Sequence, residues 1–271
     1  MLHELDRSEF DQVRPLLMRM DEHLVLASIL DGSTPARIFV DHPSHPEAVF
    51  TGFHARMFLL GSQNNSEFNQ ALREYLNDQA IPQAQAEGRR AFIFHLDSDA
   101  WLPRLEKILA GRELLPHTRQ FYRCAPRRQD WQDLLPEGFR IRPVDACLFE
   151  NSSLQRMDLL VEELCSERTS VEDFLDKSFG FVVQRGDELA GWCLSEYNQD
   201  GRCEVGVASL EPYQRQGLGT ATTLALLDRA ARLGYREVGW HCWKENVPSG
   251  RLAHRAGFDL VKESQVYLVL F

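Results

Sequence analysis

Two glycines, Gly217 and Gly219, stand between a segment that has the pattern of a strand (203–208) and one with apolar residues at helical spacing (218–233). The first backbone N–H groups of a helix have no partner within the helix, and the helix dipole adds to their attraction for an anion. Glycine lets the backbone approach a ligand without a side chain in the way. The pattern therefore predicts a phosphate-binding turn made by the main chain. The alternative is an ordinary turn whose glycines only serve packing.

The spacing of the glycines narrows the kind of phosphate ligand. A dinucleotide-binding fingerprint requires a further Gly or Ala three residues after Gly219, where this chain has Thr222. A Walker loop requires Gly-Lys-Ser/Thr, which this turn lacks. The pattern that remains is Gln/Arg-x-x-Gly-x-Gly/Ala, and it resembles the acetyl-CoA loop of the GNAT N-acetyltransferase superfamily. Its residues here are Gln214, Arg215, Gln216, Gly217, Leu218, Gly219 and Thr220.

A second motif follows the strand pattern at 238–243. Asn246 and Ser249 open a helix that closes with Gly257 and Phe258, which resembles the GNAT signature Asn-x-x-Ser/Ala followed by Gly-Phe. An Asn at this point suits a helix N-cap, and its amide could also face the pantetheine or thioester of a ligand. The string 240–249 is similar to the GNAT branch that contains the zwittermicin-resistance-type acetyltransferases. That narrower resemblance implies N-acetylation of a small amine.

The resemblance also implies roles for single residues. The backbone of Val207, Ala208 and Ser209 is expected to accompany the pantetheine arm, and 214–220 to hold the pyrophosphate of acetyl-CoA. Asn246 and Ser249 are expected beside the same ligand, and Asn246 is also expected among the catalytic residues. The reaction implied is direct attack of a primary amine on the thioester, which needs a base, N–H groups for the oxyanion and, optionally, an acid for the thiolate.

Glu204 is the candidate base, because it lies on the strand that faces the acetyl group in the family and because burial would raise the pKa of its carboxyl. Side chains alternate along a strand, so a register shift of one residue would instead make it a surface or salt-bridged glutamate. Many GNAT enzymes carry a Tyr acid where this chain has Ala253. Tyr267 is the candidate substitute, with a packed aromatic as the alternative. His241 is either a core histidine or a pocket residue.

The polar segment 127–137, which contains Pro and Gly, predicts a linker between an N-terminal accessory domain (1–126) and a catalytic domain (138–271). The resemblance implies an α/β (α+β) class: a GNAT fold with a mixed central sheet, preceded by an α/β domain. A shift of 146 places Gly88 on Gly234 and His95 on His241, which indicates a degenerate GNAT-like repeat or a chance alignment. At 68–73 the first half has no glycine, so we expect no CoA loop there.

Composition excludes several partners. A net charge of −10 argues against nucleic acid, and no apolar run is long enough to span a membrane. The N-terminus lacks a signal-peptide pattern, and the six cysteines form neither a CxxC pair nor a zinc spacing, so we expect a cytoplasmic protein without a metal. We therefore expect an acetyl-CoA-dependent N-acetyltransferase acting on a small-molecule amine. A protein or peptide acceptor and a non-catalytic CoA-binding regulator remain alternatives. The sequence predicts no particular oligomeric state.

Overall fold

The computed structural model of the chain describes residues 1–150 and 153–271. The chain forms two compact units: unit 1 comprises Met1–Arg119 and Ser264–Phe271, and unit 2 comprises Gln120–Glu263. The predicted linker 127–137 falls inside unit 2, and the last residues of the chain fall in unit 1. These boundaries therefore differ from the domain limits expected from composition. No helix in the described part of the chain is long and apolar enough to cross a membrane.

The strands, in chain order, are β1 (His3–Glu4), β2 (Ile38–Val40), β3 (Ala48–Phe53), β4 (Arg56–Gly61), β5 (Ala91–Leu96), β6 (Leu114–Cys124), β7 (Phe139–Pro143), β8 (Gly180–Arg185), β9 (Glu188–Gln199), β10 (Arg202–Ser209), β11 (Glu237–Trp243) and β12 (Asp259–Leu270). The α-helices are α1 (Arg14–Leu17), α2 (Leu24–Asp31), α3 (Ser66–Tyr75), α4 (Ile81–Ala86), α5 (Leu102–Ile108), α6 (Ala146–Glu150), α7 (Met157–Glu167), α8 (Val171–Lys177), α9 (Leu218–Arg232) and α10 (Val247–Arg255). One π-helical turn, Leu76–Ala80, joins α3 to α4. Short 3₁₀ turns cover Arg7–Val13, Met18–Met20, Asp99–Trp101 and Gln132–Leu134.

Unit 1 contains a mixed sheet with the strand order β1-β2-β3-β4-β5-β12. Its strands run antiparallel except β4 and β5, which are parallel, with Arg56 opposite Ile93. Helices α3 to α5 and the 3₁₀ turn Asp99–Trp101 cover this sheet with large apolar side chains, among them Phe68, Leu72 and Trp101, which are fully buried. This burial is the main source of the unit's stability, since apolar area removed from water contributes about 25 cal/mol per Å².

Unit 2 contains a mixed sheet with the order β11-β10-β9-β8-β7, in which only β10 and β11 are parallel. Helices α9 and α10 pack on one face of the sheet against Cys193 and Trp240. Helices α7 and α8 pack on the other face against Trp192 and Leu194. Because residues 192–194 alternate between these two clusters, the sheet of unit 2 is buried on both faces. The sequence prediction of a mixed α/β fold is confirmed.

The two units share one order of elements. In unit 1, β4 is followed by α3 to α4, then β5, α5 and β6; in unit 2, β10 is followed by α9, then β11, α10 and β12. With the shift of 146, the end of α4 at Ala86 falls on the end of α9 at Arg232, since 86 + 146 = 232. The starts of β5 and β11 coincide in the same way, since 91 + 146 = 237. The internal similarity therefore extends beyond a few glycines.

The helix after the fourth strand of each unit begins at a different place. Ser66 opens α3, and 66 + 146 = 212, whereas α9 opens only at Leu218. Residues 68–73 therefore lie within α3, and no loop stands there. The physical reason is that Asn65 caps the helix at Phe68 N, while Phe68 and Leu72 bury one face of it.

Candidate functional site

The turn before α9 leaves the start of that helix open. Arg215 and Gly217 both have positive φ, 61° and 82°, and Gly217 is the N-cap residue. No side chain in the described structure caps α9, so the first N–H groups of the helix keep their capacity to bind an acceptor. A Cβ built on Gly217 would meet no atom within 4 Å. The turn therefore lies at the start of a helix, as the sequence predicts.

Tyr213 anchors this turn, and sequence reasoning missed it. Its phenol donates a hydrogen bond to the Glu188 carboxylate, and its ring packs edge-on against Phe139, with the ring centroids 5.8 Å apart. The hydrogen bond to Glu188, followed by burial, raises the pKa of Tyr213. Within the turn, Gln214 Nε2 donates to Ser209 O at 3.1 Å. The turn is thus held from both ends while its tip stays exposed.

Gly219 marks the point where three elements of unit 2 meet. A Cβ at this position would lie 3.1 Å from Leu252 Cδ2 of α10 and 3.4 Å from Ser209 Oγ at the end of β10. The start of α9, the end of β10 and helix α10 therefore converge around one stretch of backbone. A side chain at residue 219 would crowd this point, which explains the second glycine of the pattern by close approach.

The strands β10 and β11 pair along only part of their length. Their parallel register runs from Arg202 opposite Glu237 to Val205 opposite Trp240. Beyond it, Val207 to Ser209 pair with β9 on the other side. In the described structure, alternate N–H and C=O groups on the β11 side of this stretch are therefore free to form hydrogen bonds with an extended ligand that runs beside β10.

Glu204 lies where the pairing of β10 with β9 is irregular. The register between these two strands shifts between Cys203 and Val205, as in a β-bulge. Its carboxylate Oε1 is 3.8 Å from His241 Nε2 of β11, and both side chains are nearly buried. The His241 ring packs edge-on against Phe121, with centroids 4.4 Å apart. Glu204 is therefore not a surface glutamate, and the structure pairs it with the histidine that sequence reasoning had left between core and pocket.

Other carboxylates lie near Gly206, on the same strand as Glu204. A Cβ on Gly206 would lie 3.1 Å from Glu196 Cδ and 3.5 Å from Glu163 Oε1. Neighbouring carboxylates favour cations over anions and neutral molecules. The arrangement suits an acceptor that arrives as an ammonium ion.

The second motif has structural partners in unit 2. Asn246 Oδ1 accepts a hydrogen bond from Ser249 N at 3.2 Å, which makes Asn246 the N-cap of α10. Ser249 Oγ accepts one from Trp240 Nε1 at 3.0 Å, which ties α10 to β11. Ala253 is fully buried against the sheet. The contacts of Asn246 and Ser249 with a ligand stay predictions.

Tyr267, the candidate acid, lies in β12 in the part that belongs to unit 1. It stands opposite Phe94 and belongs to the apolar cluster that α3 to α5 cover. Burial raises the pKa of its phenol, and the carboxylates Asp99 and Glu106 raise it further. These surroundings are those of a packed aromatic, and its catalytic role stays a prediction.

Comparison with known proteins assigns the family of the chain. Residues 14–267 match the family model for GNAT acetyltransferase, so the chain belongs to the GNAT family, and the N-acetyltransferase activity predicted from the sequence is confirmed. Over 267 residues it is 25% identical to a protein described as the uncharacterized N-acetyltransferase YdfB of Bacillus subtilis (strain 168), with 98% of each chain covered.

Solved structures agree on the fold. A GCN5-related N-acetyltransferase-like protein from Streptococcus suis 89/1591 is similar over 97% of this chain and 98% of its own, with a TM-score of 0.72 and 22% identity. A tandem GNAT protein from the clavulanic acid biosynthesis pathway is similar over 99% of this chain and 97% of its own, with a TM-score of 0.59 and 12% identity.

Proposed function

We propose that this protein transfers the acetyl group of acetyl-CoA directly to the primary amine of a small, positively charged molecule. The observation that carries the proposal is the buried pair of Glu204 and His241, which lies on two strands that share only part of their register. Glu204 stands on β10, the strand that leads into the open turn at Gly217.

The residues of unit 2 fit a CoA thioester as substrate. The uncapped N–H groups at the start of α9 suit its pyrophosphate, since glycine at 217 and 219 keeps side chains away from them. The backbone of Val207, Ala208 and Ser209 offers strand-like hydrogen bonds to the pantetheine arm. Asn246 and Ser249 would flank the same arm from α10. The exposed side chains of Gln214, Arg215 and Gln216 would surround the phosphates.

Glu204 would take the proton from the attacking ammonium, directly or through water, and His241 would hold that carboxylate in place. The carboxylates of Glu163 and Glu196 would attract the cationic acceptor toward the same strand. No acyl-enzyme is needed. The thiolate of CoA can leave without an enzymic acid, and Tyr267 is retained as a candidate only if an acid is required.

Three further predictions accompany the proposal. The narrower likeness to the zwittermicin-resistance-type branch favours a small-molecule acceptor over a protein or peptide amine. The element order shared by the two units supports a GNAT-like repeat, with one acetyl-CoA held in unit 2. A cytoplasmic location agrees with six cysteines that are all free thiols.

Calorimetry tests the ligand. Acetyl-CoA should bind the wild type with one site per chain, and Gly217→Trp, which places an indole where the backbone N–H groups are open, should weaken binding at least about tenfold. Equal affinity in the two proteins would refute the assignment of the turn.

An amine-library assay that follows free thiol release tests the reaction. Loss of a positioned base lowers turnover by about 10²–10⁴-fold, and we expect this from Glu204→Gln with acetyl-CoA affinity retained. His241→Gln should lower turnover less, because the base itself remains. Full activity of Glu204→Gln from neutral to high pH would refute the base. Turnover of peptides in preference to small amines would favour a protein or peptide acceptor. CoA binding without turnover of any amine would favour a non-catalytic CoA-binding regulator.

A further inference from the structure

Unit 1 has a cavity of its own between helices α3 and α5. Its volume is about 480 Å³, within the roughly 300–1,000 Å³ of small-molecule sites. All its lining residues lie between Asn64 and Ala110, so it belongs to unit 1 alone. It is therefore separate from the turn and the Glu204–His241 pair of unit 2.

The cavity is basic within a chain of net charge −10. Arg73 comes from α3, and Arg104 and Lys107 come from α5. No Asp or Glu is among its described lining residues, and none of the three cations forms an ion pair with a carboxylate in the described structure. Three like charges that face one cavity repel each other, and a bound anion would relieve that repulsion.

The rest of the lining combines polar side chains with Ile108 and Ala110 and suits a small organic ligand. Asn64 and Gln70 offer amide groups, and Asn69 is fixed by a hydrogen bond from its Nδ2 to Gln63 O at 3.0 Å. Gln70 Nε2 in turn donates to Glu74 Oε1 at 2.8 Å, so the carboxylate of Glu74, on the same helix, is engaged by Gln70.

The correspondence between the two units relates this cavity to the phosphate turn of unit 2. With the shift of 146, Arg73 corresponds to Gly219 and Arg104 to Gly250, so two of its three cations stand at positions that are glycine in unit 2, whereas Lys107 corresponds to Ala253. Where unit 2 presents the open start of α9 around Gly219, unit 1 presents the guanidinium group of Arg73 within α3, and Arg104 adds a second guanidinium group from α5. Guanidinium groups bind phosphate with two parallel hydrogen bonds, without needing a glycine turn.

We propose that this cavity binds a small molecule carrying two or more phosphate groups, held by Arg73, Arg104 and Lys107. A single carboxylate would leave most of the positive charge unmatched, whereas a pyrophosphate group matches it. The site does not depend on the function proposed for unit 2. Its ligand could be a nucleotide or inorganic pyrophosphate, which share this chemistry.

The test uses the full chain with Gly217→Trp, so that the phosphate turn of unit 2 does not contribute. Calorimetry with inorganic pyrophosphate and with ADP should show one remaining site, and the probe that binds more tightly identifies the source of the phosphate groups. Adding Arg73→Gln and Arg104→Gln should weaken binding about tenfold or more, because charge-assisted hydrogen bonds to phosphate are lost. Arg90→Gln, an exposed cation of unit 1 outside the cavity, is the matched control and should leave affinity unchanged.

Hydrogen exchange on the wild type gives a second measurement that does not require any variant to fold. Either phosphate ligand should protect the amides of α3 and α5. Failure of both ligands to bind or protect at millimolar concentration would overturn the proposal. Equal weakening by Arg90→Gln and by the double substitution would also overturn it, since binding would then follow net charge alone. Loss of acetyl-CoA binding in unit 2 affects neither result.

Discussion

Replacing Gly217 by alanine separates the conformation of the phosphate turn from its chemistry. Gly217 has φ 82° and ψ −3°, and a Cβ there would meet no atom within 4 Å. The substitution therefore adds no clash, and it destabilises the protein only through the strain of the left-handed backbone conformation. A left-handed conformation costs a residue other than glycine roughly 1–2 kcal/mol, and the stiffer unfolded chain returns part of this, which leaves about 1 kcal/mol.

The same chain offers a matched control. Gly234, after the end of α9 in unit 2, has φ 83° and also has open space around its Cβ position. Gly217→Ala and Gly234→Ala should therefore lower the unfolding free energy by similar amounts, about 1 kcal/mol, or roughly 2–4 °C in Tm for a unit of this size. Thermal unfolding followed by circular dichroism measures both.

Of the two substitutions, only Gly217→Ala should weaken the binding of acetyl-CoA. Any part of the cost that the free protein avoids by relaxing out of the left-handed conformation appears on binding instead, because acetyl-CoA must restore that conformation; the full cost of about 1 kcal/mol corresponds to roughly a fivefold higher Kd. Gly217→Asn should recover part of the loss, because Asn tolerates positive φ better than Ala does. The reasoning is refuted if Gly217→Ala changes neither the unfolding free energy nor the affinity for acetyl-CoA, or if Gly234→Ala weakens binding equally.

Three further substitutions test unit 2. A Cβ on Gly250 would lie 2.8 Å from the Tyr122 hydroxyl, so Gly250→Ala should destabilise the wild type by about 1–2 kcal/mol in urea unfolding. In the Tyr122→Phe background the hydroxyl is gone, and the same substitution should stabilise the protein because Ala favours a helix more than Gly does. Tyr213→Phe removes a hydrogen bond to the carboxylate of Glu188 and should cost about 1.5–3 kcal/mol, with weaker acetyl-CoA binding in calorimetry. For Asp228, burial raises the pKa, but the hydrogen bonds and charges of its basic neighbours outweigh it and lower the pKa. The stability this carboxylate contributes is thus present above its unfolded pKa of about 3.9 and lost as pH falls through the lower folded value. Asp228→Asn should therefore be less stable than the wild type at pH 6, by a margin that shrinks below about pH 4; a margin independent of pH would contradict the assignment.

The turn at Gly217 could be predicted because its signals are local. A strand pattern, two glycines and a helix pattern lie within thirty-one residues of sequence (203–233), and each depends on backbone conformation or on hydrophobic spacing that a single segment carries. The helix cap at Asn246 is of the same kind, since a cap is a contact between residues three apart.

The surroundings of Glu204 could not be predicted in the same way. Its direction depends on a bulge in the pairing of β10 with β9, and its partner His241 comes from β11, thirty-seven residues along the chain (241 − 204 = 37). Alternation along one strand cannot reveal a residue inserted relative to another strand. The anchoring of the turn by Tyr213 was missed for a similar reason, because the Glu188 carboxylate reaches it from β9.

The expected domain limits differ from the limits of the compact units for another reason. The polar segment 127–137 has the composition of a linker, yet Gln129 N donates to Asp228 Oδ1 at 3.4 Å, and Arg128 forms an ion pair with the same carboxylate. A polar segment can thus be attached through its charges to a helix of the following unit. The last residues join unit 1 because Val266 to Leu270 pair with β5, and composition carries no signal for that pairing.

The two units differ in how they could bind an anion because six residues, 212–217, precede helix α9 where the corresponding residues of unit 1 are already helical. Delaying the helix to Leu218 exposes backbone N–H groups, so an anion site can be built from glycine and the main chain. Starting it at Ser66 pairs those groups within the helix, so any anion site there must be built from side chains. The absence of glycine at 68–73 therefore excludes the CoA loop without excluding a phosphate ligand. The cations of α3 and α5 face a cavity that the helix itself helps to form.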